Sequence, residues 1–226
     1  MERTATRYFP AALNVEGKRC IVVGGGSVGG RKALALQECG AEVIVIAPQI
    51  DETLAEAVRR GDIRHLRTRF SPELLAGAFL CILATDDPAV NALALETARQ
   101  EKILCNLAGA RPDNESGGET NAETGDFVTM ASVRRGELLL AVTTGGAGPS
   151  LAAKIRRRWE TEFGPEWSEY MELLRRMRLE AKNRIPGEAD RFAALRRLVS
   201  DERLLPLLAQ GEREQALQEA RKCLFP

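Results

Sequence analysis

Three glycines govern what the first half of this chain can become. In the stretch CIVVGGGSVGGRKALALQECGAEVIVIAP, Cys20 to Pro48, an apolar run ends at Val23 and meets Gly24, Gly26 and Gly29 in the spacing G-x-G-x-x-G. A helical pattern then leads to Gly40, and a second apolar run spans Val43 to Ala47. Strand, tight turn, helix and strand in that order form a unit in which the first glycine permits the turn. The second lets backbone approach a pyrophosphate, and the third lets helix pack on strand. A helix starting near Ser27 directs its free N–H groups and positive dipole end at the phosphates. The alternative is a glycine turn with a purely structural task.

One expected part is missing. The acid that usually grips the adenosine ribose belongs about 20 residues past the glycines, at the end of the second strand. That strand ends Ile46-Ala47-Pro48-Gln49, and Asp51 and Glu52 fall beyond the turn. Ribose contacts are expected from backbone, from Gln49 or from the next helix start. NAD against NADP is therefore undecided by this stretch, although no arginine follows Pro48 to welcome a 2′-phosphate.

At 226 residues the chain has room for one larger domain and a smaller one. Lys plus Arg and Asp plus Glu both number 32, so no net field recruits nucleic acid or an anionic membrane. No apolar run approaches the ~18 residues of a membrane span, and Met1 to Arg7 lead into no apolar signal core. The expectation is a cytoplasmic protein with neither nucleic-acid nor membrane partners. Cys20, Cys39, Cys81, Cys105 and Cys223 are scattered, no C-x-x-C pair occurs and His65 is the single histidine, so no metal site is expected.

Further along, Tyr8 to Leu13 reads as a short edge strand or an apolar cover for the sheet. Ile50 to Arg60 has helical periodicity, Ile63 to Leu66 is a short strand, and Ser71-Pro72-Glu73 starts a short helix. Phe79 to Ala84 is a continuous apolar run of the kind buried on both faces of a parallel sheet. Thr85-Asp86-Asp87-Pro88 then caps a helix reaching about Gln100, and Ile103 to Cys105 gives another buried strand ending at Asn106. Alternating strands and helices predict a doubly wound Rossmann-type sheet over roughly 1–110. Ligands bind beyond the carboxyl ends of such strands, so Gly24 to Gly29, Pro48, Thr85 and Asn106 should converge on one crevice. Asp87 could instead only cap a helix, and Asn106 only close a turn.

Residues 109–125 read as a long polar loop. Phe127 to Val133 and Glu137 to Thr143, joined by Arg134-Arg135-Gly136, predict a β-hairpin that needs another sheet or a second subunit for support. A second glycine-rich turn, Thr143-Thr144-Gly145-Gly146-Ala147-Gly148-Pro149-Ser150, opens a helix with Lys154, Arg156, Arg157 and Arg158. The rest is helical, with breaks near Gly164-Pro165, Ile185-Pro186-Gly187 and Gly211. The basic helix is either a solvated face or a complement to a polycarboxylate.

The order of these features resembles the precorrin-2 dehydrogenases, the NAD-dependent module of siroheme synthases. Tyr8-Phe9-Pro10, Val22 to Val28, Arg31-Lys32, Ala47-Pro48, Ala84 to Asp87, Cys105-Asn106 and Arg135 to Leu138 carry the likeness, with Thr143 to Gly146, Gly148-Pro149, Leu151-Ala152 and Ile155-Arg156. The resemblance implies a Rossmann domain (1–112), a central β dimerisation region (113–149) that makes a homodimer, and a C-terminal helical domain (150–226). It implies oxidation of precorrin-2 to sirohydrochlorin with NAD as hydride acceptor; some relatives also insert Fe2+. By position the cofactor contacts fall on Ser27, Val28, Pro48 and Gln49. The substrate's carboxylates fall to Thr144, Gly145, Gly146, Ser150, Lys154 and Arg156.

The likeness breaks at one place. The family's Asn-x-x-Asp, whose aspartate is taken as the acid/base group, is here Asn106-Leu107-Ala108-Gly109. Asp113 is the first candidate to replace it and Asp126 the second, either being equally an ordinary loop acid. Two other readings stay open: a non-catalytic NAD(H)-binding regulator, and an unrelated Rossmann dehydrogenase.

Overall fold

The structure, a computed structural model, describes residues 8–108 and 125–225. It divides into two compact units, Met1–Thr129 and Met130–Pro226.

In the first unit, β1 (Arg19–Val23), β2 (Glu42–Ile46), β3 (Arg64–Leu66), β4 (Leu80–Leu83) and β5 (Leu104–Leu107) form one sheet in the order β3-β2-β1-β4-β5. Every pairing is parallel. After Arg19 and Glu42 at their starts, β1 and β2 are apolar, as is all of β4, because both faces are covered. Cys20, Val22, Val43, Val45 and Ile82 meet Ala33 of α1 (Ser27–Glu38) with Leu54 and Ala57 of α2 (Glu52–Arg59). On the opposite face Ile21, Val23, Ile44, Cys81 and Leu83 meet Ala94, Leu95 and Ala98 of α3 (Pro88–Gln100) and Leu75 of a 3-10 turn. The order reverses between β1 and β4, which opens a crevice at their carboxyl ends.

Residues 8–13 differ from expectation. They form no strand, and Phe9 at 89% exposure and Leu13 at 46% leave these apolar side chains largely uncovered.

In the second unit, β6 (Ala131–Arg135) and β7 (Leu138–Val142) pair antiparallel with Arg135 opposite Leu138. The turn is therefore Gly136-Glu137, with Gly136 at φ +57°, and Arg135 belongs to the strand instead of the turn. The reason is visible at its guanidinium: Nε donates to the carbonyl of Phe163 at 2.7 Å, satisfying the C-terminus of α4 (Pro149–Glu162). The hairpin is supported within its own chain by α4 and by α5 (Glu166–Arg184), and Val133 is buried. Helices α5, α6 (Glu188–Val199), α7 (Leu204–Ala209) and α8 (Arg213–Leu224) close around Met177, Leu198, Leu204 and Leu224. The break between α6 and α7 carries no glycine or proline and was not expected from the pattern.

Candidate functional site

The glycine turn after β1 is shaped by lack of room. Gly24 has φ +117°, and a Cβ there would lie 2.3 Å from the carbonyl oxygen of Ala84, at the end of β4. A Cβ on Gly29 would lie 2.3 Å from the carbonyl oxygen of Gly24, so helix and turn touch backbone to backbone. Gly25, which the motif leaves open, is as tight: its Cβ would fall 2.1 Å from the carbonyl oxygen of Gln49. These three glycines fit the turn to its neighbours. Gly26 is different, because its Cβ would meet nothing within 4 Å.

Gly26 is also the N-cap of α1, and no side chain bonds to that helix end. Open space thus lies against uncapped first-turn N–H groups and the positive end of the helix dipole, which fits the pyrophosphate of a dinucleotide. Ser27 and Val28 follow in the first turn, with Val28 41% exposed.

At the end of β2, Pro48, Gln49 and Ile50 line an open cleft of about 400 Å³ together with His65 and Arg67. The register Ile46↔Leu66 carries β3 alongside β2 and brings Arg67 there. Asp51 is engaged elsewhere: its Oδ1 accepts the Leu54 N–H at 2.9 Å and caps α2. Glu52 pairs with Arg59 on the surface. The expected ribose acid is thus missing from the cleft lining, and a cation stands there that reading along one strand could not reveal.

Thr85 and Asp87 build the turn between β4 and α3. Asp87 Oδ1 accepts from Ala89 N at 2.9 Å and Val90 N at 3.3 Å, the capping role. The Thr85 hydroxyl lies 2.8 Å from Asn91 Oδ1, and Asn91 Nδ2 donates to the Thr85 carbonyl at 2.9 Å.

Asn106 is 4% exposed and sits at the centre of a node not foreseen from the sequence. Its Oδ1 accepts from Lys32 Nζ at 3.0 Å, and its Nδ2 donates to the carbonyl of Phe127 at 2.8 Å. Lys32 also donates to the Thr129 hydroxyl at 2.5 Å. Burial, and then the charge of Arg31, hold the Lys32 ammonium below the ordinary lysine range. Asp126 donates its N–H to the Cys105 carbonyl at 2.7 Å, and its carboxylate accepts the Cys105 N–H at 2.9 Å. Residues 125–129 are thereby tied to the outer edge of β5, with Gly125 so close that a Cβ would lie 2.4 Å from the Cys105 carbonyl oxygen. Asp113 and Gly109 lie outside the described residues.

In the second unit, Gly145 and Gly146 take φ +62° and +91°, and the Thr144 hydroxyl accepts the Gly148 N–H at 3.1 Å. This turn delivers Ser150 into the first turn of α4, with Lys154 and Arg156 one and two turns on. Ser150 and Lys154 are exposed, whereas Arg156 pairs with Glu160.

Burial pushes Cys20 up to about 11, and a hydrogen bond with Cys105, then burial, hold Cys81 protonated far above the ordinary thiol range. Among the described residues, no three His, Cys, Asp or Glu side chains gather as a metal site.

Residues 11–117 match the family described as "Putative NAD(P)-binding". Similarity to siroheme synthases extends much further: 35% identity over 80% of the chain with that of Nitrosococcus oceani, and 30% over 93% with siroheme synthase 2 of Yersinia enterocolitica. This chain is similar to part of these siroheme synthases. It spans 36% and 42% of the length of those two proteins. Among solved structures, SirC, a precorrin-2 dehydrogenase, superposes with a TM-score of 0.70 at 24% identity, covering 95% of this chain and 100% of SirC. The fold is therefore that of SirC, a Rossmann-type α/β unit followed by a hairpin and helices. The glycine cradle lies within the residues that match the NAD(P)-binding family.

Proposed function

We propose that this chain oxidises precorrin-2 to sirohydrochlorin with NAD, as part of siroheme synthesis. The observation that carries the reading is that likeness to siroheme synthases runs through both units and is not confined to the dinucleotide domain. NAD, when bound, supplies the hydride acceptor. Gly26 with the first-turn N–H groups of Ser27 and Val28 holds its phosphates, in a turn that Gly24 and Gly29 shape, with Pro48 and Gln49 on its adenosine side and Thr85 at the edge of the crevice. Asn106 acts through the segment it fastens, since both ends of its amide already have partners.

The chain's own chemical task is to remove a proton and to hold an anionic macrocycle. Asp113 is the proposed base and Asp126 the runner-up, its carboxylate already engaged by the Cys105 N–H. Thr144, Gly146 and Ser150 present N–H and hydroxyl donors to substrate carboxylates, with Lys154 a charge unshared among the described residues, while the Gly145 N–H already goes to the Thr143 hydroxyl and Gly145 serves by shaping the turn. Arg156 shares its charge with Glu160 and contributes less.

The working form is a cytoplasmic homodimer. Hairpin β6–β7 keeps both edges unpaired among the described residues, with Leu139 exposed, which favours assembly through this region. No helix among the described residues is long and apolar enough to cross a membrane.

The test is anaerobic incubation of the purified protein with precorrin-2, with and without NAD, following the spectrum of sirohydrochlorin. NAD-dependent formation is expected. Binding of NAD with no turnover would overturn the enzyme in favour of an NAD(H)-responsive regulator.

A further inference from the structure

The adenosine end of the dinucleotide cleft carries a charge pattern opposite to the one expected of a site that selects NAD. Discrimination against a 2′-phosphate at the end of β2 ordinarily comes from a carboxylate that bonds the ribose hydroxyl and repels the dianion. Here the residues lining the cleft are Pro48, Gln49, Ile50, His65 and Arg67, without a carboxylate. The two acids that follow the cleft residues in the sequence are occupied in other work. Asp51 caps α2, facing the backbone of α1 near Gly30, and Glu52 is drawn to Arg59.

Among the described residues Arg67 is the only full charge in that lining, and it is exposed. Its place is fixed by the parallel register of β3 on β2, one residue beyond Leu66, which stands opposite Ile46. His65, two residues earlier on the same strand, is anchored by a 2.8 Å contact between Nε2 and the Ala47 carbonyl, so the cleft wall is pinned to the end of β2. A guanidinium with no carboxylate paired to it among the described residues matches a phosphate monoester by charge and by its fork of donors.

We infer that Arg67 makes this end of the cleft a 2′-phosphate subsite, so that the protein takes 2′-phosphorylated dinucleotides, NADP(H), alongside NAD(H). The inference rests on the dinucleotide reading of the glycine cradle and extends it to cofactor range. Gln49 serves the ribose through its amide in either case, and Arg67 adds a contact only when the phosphate is present.

The test is direct binding, independent of turnover: calorimetric or fluorescence titration of the full chain with NADH and with NADPH. Arg67→Gln is compared with Arg69→Gln, which removes the same charge from an exposed position outside the cleft lining. NADPH is expected to bind at least as tightly as NADH. Arg67→Gln should weaken NADPH about tenfold, the low end for a charge-assisted bond at an exposed site, and leave NADH within about twofold. Arg69→Gln should leave both unchanged. Tight NADH binding with NADPH tenfold weaker overturns the subsite while leaving the dinucleotide reading intact. Equal effects of Arg67→Gln on both ligands, or equal effects of the two substitutions on NADPH, overturn it as well. Binding of neither dinucleotide overturns the reading on which it rests.

Discussion

The two units hold their shapes by different means. Around the crevice of the first, backbone meets backbone: Gly24 against Ala84, Gly25 against Gln49, Gly29 against Gly24, Gly125 against Cys105. In the second unit, glycines such as Gly145 and Gly211 take positive φ with nothing within 4 Å, and charged side chains link the helices instead. A close backbone approach has one geometry and no slack. An ion pair between long exposed side chains has many geometries and little depth. The first arrangement suits a site that must present N–H groups to a ligand at fixed positions, and the second suits a scaffold.

The largest effect expected from this contrast is at the glycines. Gly24→Ala combines positive-φ strain with an impossible contact at the Ala84 carbonyl, and should destabilise the first unit by about 2–5 kcal/mol. Gly26→Ala separates folding from binding. The backbone there has φ −78° and the added methyl meets no protein atom, so the thermal midpoint should hold while dinucleotide affinity falls at least about tenfold. Scanning calorimetry and NADH titration read the two quantities separately. Loss of stability in Gly26→Ala with retained affinity would reverse the assignment of ligand-facing and fold-facing glycines.

How far this division was legible depends on the range of the contact. The G-x-G-x-x-G spacing, the Asp87-Pro88 helix start and the apolar strands are local, and all lie where the sequence places them. Gly25, Arg67 and the Lys32–Asn106 node owe their positions to neighbours in the sheet or across α1, beyond the reach of any motif. The hairpin turn was misplaced for a related reason. Arg134-Arg135-Gly136 looks like a polar turn until Arg135 is seen to satisfy the Phe163 carbonyl at the end of α4. Residues 8–13 look apolar enough to be covered, and only the tertiary structure shows Phe9 uncovered.

The Lys32–Asn106 node offers an intermediate effect. Lys32→Met strands the Asn106 side-chain carbonyl, and Asn106→Leu leaves the half-buried ammonium with the Thr129 hydroxyl alone and the Phe127 carbonyl without its donor, so each should cost about 1–3 kcal/mol. The double substitution should cost clearly less than the sum, read by denaturant titration as a double-mutant cycle. Full additivity would show that the two groups are not coupled. The pH dependence carries a sign. Because the native state depresses the Lys32 pKa, the unfolded chain binds more protons between that lowered value and the ordinary value of about 10.4. Stability from this group therefore rises with pH through that window, and Lys32→Met should remove the rise.

The smallest effects belong to the second unit, and they are graded by exposure. Asp201 accepts from Arg203 Nε and Nη2 at 2.9 and 2.7 Å and from the Cys223 thiol at 3.1 Å, with its side chain only 9% exposed. Hydrogen bonding from Arg203, foremost, holds its carboxyl well below the usual carboxylate range. Its contribution is present above the ordinary carboxylate value of about 3.9 and is lost as pH falls from there toward the lowered native value. Asp201→Asn should destabilise the second unit by about 1–2 kcal/mol at pH 7 and remove that acid-sensitive component. Arg213 also forms a two-pronged pair, with Glu169, but its own side chain is 72% exposed. Arg213→Gln should therefore shift the denaturation midpoint barely measurably at physiological salt, because solvent screening and side-chain entropy offset most of the attraction. If Arg213→Gln proved as damaging as Asp201→Asn, exposure would not be what grades these pairs. The helices would then depend on their charges as closely as the crevice depends on its glycines.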